Sequence, residues 1–217
     1  MTVPEIYNQL TAYYEAGKRI FVSSSFQTHS IPLLHILSKA PVPVDILFIN
    51  TGFHFPETLS FRDQISELLQ IEVKNVRPLL SKHQQKDKQG QFYFASDPDH
   101  CCFLNKTQPL EPYLMQYDVW ISGVRAGQSA TRKAMKTEQE APFNTLRFHP
   151  ILDWSAKDIF DYRKEHNLPE HPLDAQGYQS IGCAPCTHKI DLSDERSARW
   201  FGMNKVECGL HTDLISK

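Results

Sequence analysis

The stretch Arg19-Ile-Phe-Val-Ser-Ser-Ser-Phe-Gln-Thr-His-Ser30 decides the fold of this chain. Arg19–Ser23 reads as a short apolar strand, and Ser23–Ser30 as a polar, serine-rich turn. Ile31, Leu34, His35, Leu37 and Ser38 then recur with the spacing of one helix face. The same order returns downstream. Val44-Asp-Ile-Leu-Phe-Ile-Asn50 is an apolar run suited to a strand buried on both faces of a parallel sheet, and it ends at Asn50-Thr-Gly-Phe53. Pro56, with Glu57 behind it, opens a helix to about Leu69. Ile71–Val76 and Asp118-Val-Trp-Ile-Ser122 read as a third and a fourth strand. Strands separated by helix-length segments predict an α/β fold, a parallel sheet with helices on both faces and right-handed crossovers. Ligands of such sheets sit beyond the carboxyl ends of the strands, where the loops 23–30, 50–57 and 123–132 converge.

Arg77–His100 is polar, with Lys and Gln runs, and reads as a long surface loop of the kind that is functional or mobile. A helix is expected over Trp154–His166, capped by Ser155 or Asp153, with Leu168-Pro169 beyond its end. After Cys186 the chain is charged and short of aliphatics, which suggests an arm rather than more core. The expected organisation is a main domain, 1–190, and a mobile C-terminal arm, 191–217.

The chain's 217 residues, 41% hydrophobic and 22% charged, suit one domain with a sizeable core. No apolar run approaches the length of a membrane span, and the N-terminus lacks the order of a secretory signal, so a cytoplasmic protein without a membrane partner is expected. A net charge of −2 speaks against a general nucleic-acid-binding surface. Any anionic ligand must be met by a few placed residues.

Ser23, Ser24 and Ser25 lie between a strand and a helix, where backbone N–H groups and hydroxyls can converge on a phosphate; a plain serine-rich cap is the alternative. Arg125 and Arg132 follow the fourth strand, suited to clamping phosphate or sulfate oxygens, or else to a solvated basic loop. Five cysteines divide as four plus one: Cys101-Cys102, Cys183-Ala-Pro-Cys186, and Cys208 alone. Four thiolates serve a zinc ion or an iron–sulfur cluster, and an adjacent pair is unusual for zinc. Cys208, in Lys205-Val-Glu-Cys-Gly-Leu-His211, has Lys205 and His211 near in sequence, cations able to raise its thiolate fraction, with Glu207 opposing; an inert terminal thiol is the alternative. The ten histidines form no metal-ligand spacing and read as surface or hydrogen-bonded residues.

Together these segments resemble the adenylyl sulfate and phosphoadenylyl sulfate reductases over most of the chain. Glu207-Cys-Gly-Leu-His211 is similar to the family's catalytic-cysteine signature. Cys101-Cys102 with Gly182-Cys-Ala-Pro-Cys-Thr187 resembles the cluster motif of its iron–sulfur branch. Ser23-Ser-Ser-Phe26 resembles the family's phosphate loop, Gly123-Val-Arg125 through Arg132 its arginine loop, and Lys106 the lysine beside the cluster. Asn50-Thr-Gly52 stands where the family usually has Asp-Thr-Gly; Ala126 stands for a second arginine of many members, and Asn105 for a basic residue.

The resemblance implies an adenine-nucleotide alpha-hydrolase-like fold and a 4Fe-4S cluster on Cys101, Cys102, Cys183 and Cys186, with Lys106 close by. It implies catalysis by Cys208 and substrate binding by Ser23, Ser24, Ser25, Asn50, Thr51, Gly52, Arg125, Arg132, Lys205 and His211. The implied reaction reduces adenylyl sulfate to sulfite and AMP through an S-sulfocysteine, with thioredoxin or glutaredoxin as reductant, within assimilatory sulfate reduction and cysteine biosynthesis. A homo-oligomer is compatible with this reading. The alternatives are a phosphoadenylyl sulfate or dual-substrate reductase, and a non-catalytic nucleotide- or cluster-binding sensor. An adenylating enzyme is disfavoured because the loop lacks a Gly-Gly-Lys-Asp core.

Overall fold

The computed structural model describes residues 1–189, 199, 200, 202, 203, 205, 207–212 and 214. Six strands form one sheet: β1 (Ile20–Ser24), β2 (Asp45–Ile49), β3 (Val73–Val76), β4 (Val119–Ser122), β5 (Glu138–Glu140) and β6 (Leu146–Phe148). They lie in the order β3-β2-β1-β4-β6-β5. All pairings are parallel except β5 with β6, so the expected parallel sheet is mixed at one edge. The connection from β5 to β6 is too short for the crossover a parallel neighbour requires. The order reverses between β1 and β4, and the loops leaving those strands part to form a crevice.

The helices are α1 (Val3–Glu15), α2 (Ile31–Ser38), α3 (Pro56–Leu69), α4 (Tyr93–Ser96), α5 (Pro98–Cys102), α6 (Gln108–Leu114), α7 (Ala130–Lys133) and α8 (Ala156–Glu165). Alternation along the strands sorts side chains into two cores. Ile20, Val22, Ile46, Phe48, Val119, Ile121 and Phe148 pack with α1, α2, α3 and α8. Phe21, Leu47, Ile49 and Trp120 face the other way, against Leu110 and Leu114 of α6. Each strand thus supplies both cores, which is why the central strands read as unbroken apolar runs. The cap of α8 is Ser155, whose hydroxyl accepts from Asp158 N at 3.1 Å.

One expectation is corrected. Segment 77–100 is not a structureless loop: a 3-10 turn at Lys82–Gln84, a bridge between Lys86 and Phe92, and α4 and α5 order it. The order is tertiary, since the buried Gln85 and Asn105 amides exchange hydrogen bonds of 3.0 and 2.6 Å. Some of the described C-terminal residues pack into the interior. Trp200, Cys208 and Leu214 are buried, and Leu214 joins the cluster around Trp120. The rest of the expected arm, including 190–198, lies outside the described residues.

Candidate active site

One cleft opens at the carboxyl ends of β1, β2 and β4. Its lining includes Ser23, Ser24, Ser25, His54, Lys106, Arg132, Arg199, Cys208 and His211. The serine turn is held in shape by its own side chains. Ser24 Oγ accepts from Phe26 N at 3.2 Å, and Phe26 takes a left-handed φ of 53° with its ring fully buried. Trp120 Nε1 donates to Ser23 Oγ at 2.8 Å, so β4 fixes the first serine. Gln27 Oε1 accepts from Ile181 N at 3.0 Å and ties the turn to the loop before Cys183.

The cysteine quartet assembles from both halves of the chain. Cys101 and Cys102 end α5, and a π-helical turn, Phe103–Thr107, follows before α6. That widened turn carries Lys106. Cys183 is seated by a bridge with His54 and by Ala184 N donating to Phe53 O at 2.7 Å. Thr51 Oγ1 lies 3.3 Å from Cys183 Sγ. Cys101, Cys102, Cys183 and Cys186 line one small cavity with Lys106, Asn105, Phe53 and Phe94. All four thiols are free and buried. A Cβ at Gly182 would lie 2.3 Å from the Arg199 guanidinium, so a side chain there would make Arg199 shift.

Cys208 closes the cleft over this cavity. Lys106 Nζ donates to Cys208 Sγ at 3.5 Å. The Cys102 thiol, hydrogen-bonded to Cys208, and then the Lys106 charge, hold the Cys208 thiol well below its usual pKa against the opposing effect of burial. The same hydrogen bond, and then burial, push Cys102 up. Burial and the neighbouring Cys183 and Cys186 push Cys101 up to about 12. Burial alone would lower the pKa of Lys106, but Cys208, Cys183 and Cys102 outweigh it and keep the ammonium charged.

The structure does not place every expected residue in the cleft. Arg132 lines it, and its guanidinium is paired with Glu207 at 3.1 Å. Arg125 is buried, is not among the residues lining the cleft, and donates to His29 Nδ1 at 2.9 Å. Asn50 accepts from Gly52 N at 3.1 Å, shaping the turn with the acceptor oxygen it shares with aspartate. Thr51 is buried against Cys183, and Gly52 has a φ of 76°. Lys205 turns away to pair with Asp99 beside the cysteine pair. Asn105 donates to Gln85, to Cys101 O and, at 3.5 Å, to Cys101 Sγ. The sequence reading missed Arg147, His54 and Arg199. Arg199 Nε donates to Cys186 O at 3.2 Å. The only sequence signal for Arg147 was a charge inside the apolar run Leu146-Arg-Phe148.

The phosphoadenosine phosphosulfate reductase domain matches residues 19–189. The chain belongs to this family. It is similar to a protein of Rhodococcus erythropolis named adenosine 5'-phosphosulfate reductase, with 40% identity over 82% of this chain and 73% of that one. A Gloeobacter violaceus protein named phosphoadenosine 5'-phosphosulfate reductase is 39% identical over 90% of this chain and 83% of its own. In fold the chain is similar to the phosphoadenylyl-sulfate reductase of Candida auris in its phosphate complex, with a TM-score of 0.69, 22% identity, and coverage of 85% of this chain and 89% of that one. Within the family, the departures at Asn50 and Asn105 now have structural accounts, the first shaping a turn and the second ordering segment 77–100. Among the described residues no helix is long and apolar enough to cross a membrane.

Proposed function

We propose that the protein reduces adenylyl sulfate to sulfite and AMP in the cytoplasm, as a step of sulfate assimilation. The observation that carries the reading is Cys208 in the cleft, its sulfur against the buried Lys106 ammonium and opposite the serine turn. The Cys208 thiolate attacks the sulfate sulfur, the sulfur–oxygen bond to the phosphate breaks, and AMP leaves with that electron pair. Ser23, Ser24 and Ser25 offer donors to the phosphate, while Arg132, Arg199, Lys106 and His211 meet the anionic charge. A thiolate of thioredoxin or glutaredoxin then attacks Cys208 Sγ, sulfite departs, and the second thiol of the partner resolves the mixed disulfide.

Cys101, Cys102, Cys183 and Cys186 fit a 4Fe-4S cluster. Their thiols line one small cavity beside Lys106, and four thiolates are the ligand set such a cluster takes. When bound, the cluster supplies a fixed charge distribution beside Lys106 rather than electrons.

The test is sulfite release by anaerobically purified protein with thioredoxin, comparing kcat/KM for adenylyl sulfate and its 3'-phosphorylated form. Preference for adenylyl sulfate is the expected result. The relative named for the phosphorylated substrate gives the second reading a basis. Equal or reversed preference would assign that substrate. A Cys208→Ser variant that still released sulfite would overturn the mechanism.

A further inference from the structure

Arg147 lies on β6 with its side chain fully buried, and no described carboxylate forms a hydrogen bond with it. Its guanidinium stacks on Trp120, 4.2 Å from the ring centroid, and Trp120 is the residue that donates to Ser23 in the serine turn. Nη1 donates to Leu210 O at 2.9 Å, and Nη2 donates to His211 Nδ1. Nε has no partner. Both contacts therefore go to the segment that carries Cys208.

A buried cation is costly unless its donors are satisfied. If the Cys208 segment lifts, Arg147 loses both acceptors while remaining under Trp120, so the penalty opposes opening. Arg132 stands near enough to repel it, whereas Glu207 and the Cys208 sulfur attract it. All three meet at the closed segment. Burial, with Arg132 next, lowers the guanidinium pKa to about 9, so it stays charged at neutral pH. Arg147 also decides the chemistry of His211. An imidazole that accepts at Nδ1 carries its proton on Nε2 and serves as a donor there. His211 lines the cleft.

We infer that Arg147 is the positioning residue for the Cys208 segment, seating Leu210 and His211 so that the thiol stays closed over the cleft and His211 is fixed as the Nε2–H tautomer. The residue acts through others and touches no reacting atom. The inference rests on Cys208 being the nucleophile, and its test separates the two.

Anaerobic holoprotein, wild type and with Arg147→Met or Arg147→Lys, is treated with iodoacetamide, and Cys208 alkylation is timed by mass spectrometry of its peptide. Single-turnover S-sulfonation of Cys208 by saturating adenylyl sulfate and the Kd for AMP are measured alongside. With Arg147→Met, alkylation is expected to rise roughly tenfold or more and S-sulfonation to fall by about as much, the scale of losing hydrogen bonds to a buried charge. The Kd for AMP is expected to rise by much less than the rate falls, since the serine turn, Arg132 and Lys106 lie outside the released segment. Lysine keeps the charge but not the fork, so Arg147→Lys should lie between, and it carries the test if the methionine variant does not fold. Alkylation unchanged in both variants overturns the inference. So does a loss of AMP affinity as large as the loss of rate, which would mark a general structural role. If wild-type Cys208 is never sulfonated, the functional proposal fails, while the alkylation comparison still decides whether Arg147 holds the segment.

Discussion

The Lys106 ammonium lies 3.5 Å from the Cys208 sulfur, although the two residues are 102 positions apart in the chain. The π-helical turn after Cys102 points Lys106 inward, and the closing C-terminal segment brings the thiol down to it. The Lys106 charge favours the thiolate form of Cys208.

Replacing Lys106 with Met is expected to lower single-turnover S-sulfonation by about a hundredfold, the scale of removing one preorganised charge from a transition state. Lys106→Arg should recover part of that, since charge returns but its point geometry does not. Rapid-quench mass spectrometry of the Cys208 peptide measures both. An unchanged rate in the methionine variant would show that Lys106 does not act on the sulfur.

Cys183→Ser should yield colourless protein with little iron. Cys183 joins the quartet from a seat made by His54 and Phe53, and losing one of four ligands leaves a cluster unsupported. Iron content and visible absorption check this, and a full iron complement in the variant would argue against Cys183 as a cluster ligand.

Gly182→Ala should disturb the site without touching the nucleophile. The added methyl would meet the Arg199 guanidinium at 2.3 Å, and Arg199 also holds Cys186 O. Overpacking of this kind costs about 1–3 kcal/mol, read as a lower urea midpoint together with weaker AMP binding. A stability and an affinity both equal to wild type would mean that Arg199 moves aside freely.

Stability should fall on mild acidification. Burial, aided by nearby Arg147, holds His149 down at about 4, and burial holds His171 at about 4, both from 6.5. Between those values the unfolded chain binds protons that the folded one refuses. The stabilisation is therefore complete above about 6.5 and is lost as pH falls through about 4. Asp174, which burial raises, works in the opposite direction, but it is one group against these two and against His35 and His54, which burial also holds at about 4. Urea midpoints between pH 7 and 4 measure the sum, and a flat profile would show that these imidazoles protonate without unfolding cost.

The sequence carried the β1–turn–α2 unit and the apolar run of β2 because periodicity and turn chemistry are local properties. It missed α1, β5 and β6. Glu138-Gln-Glu140 has no apolar alternation, and its strand exists because Leu146–Phe148 is there to pair with it. Segment 77–100 looked like a loop for the same reason, since its order depends on Gln85 meeting Asn105.

By itself the sequence determined the kinds of group present: a serine turn between strand and helix, four thiols in two pairs, two arginines after a strand, and one thiol apart. Residue type and short spacing settle what chemistry a group can do. Only the tertiary structure decided which groups meet. It placed Arg132 against Glu207, sent Lys205 to Asp99, set Arg125 against His29, and put Arg147 under the Cys208 segment. A long charged side chain can reach many partners, and which one it takes depends on where burial leaves an unmet charge, a property of the whole packed chain that no local stretch encodes.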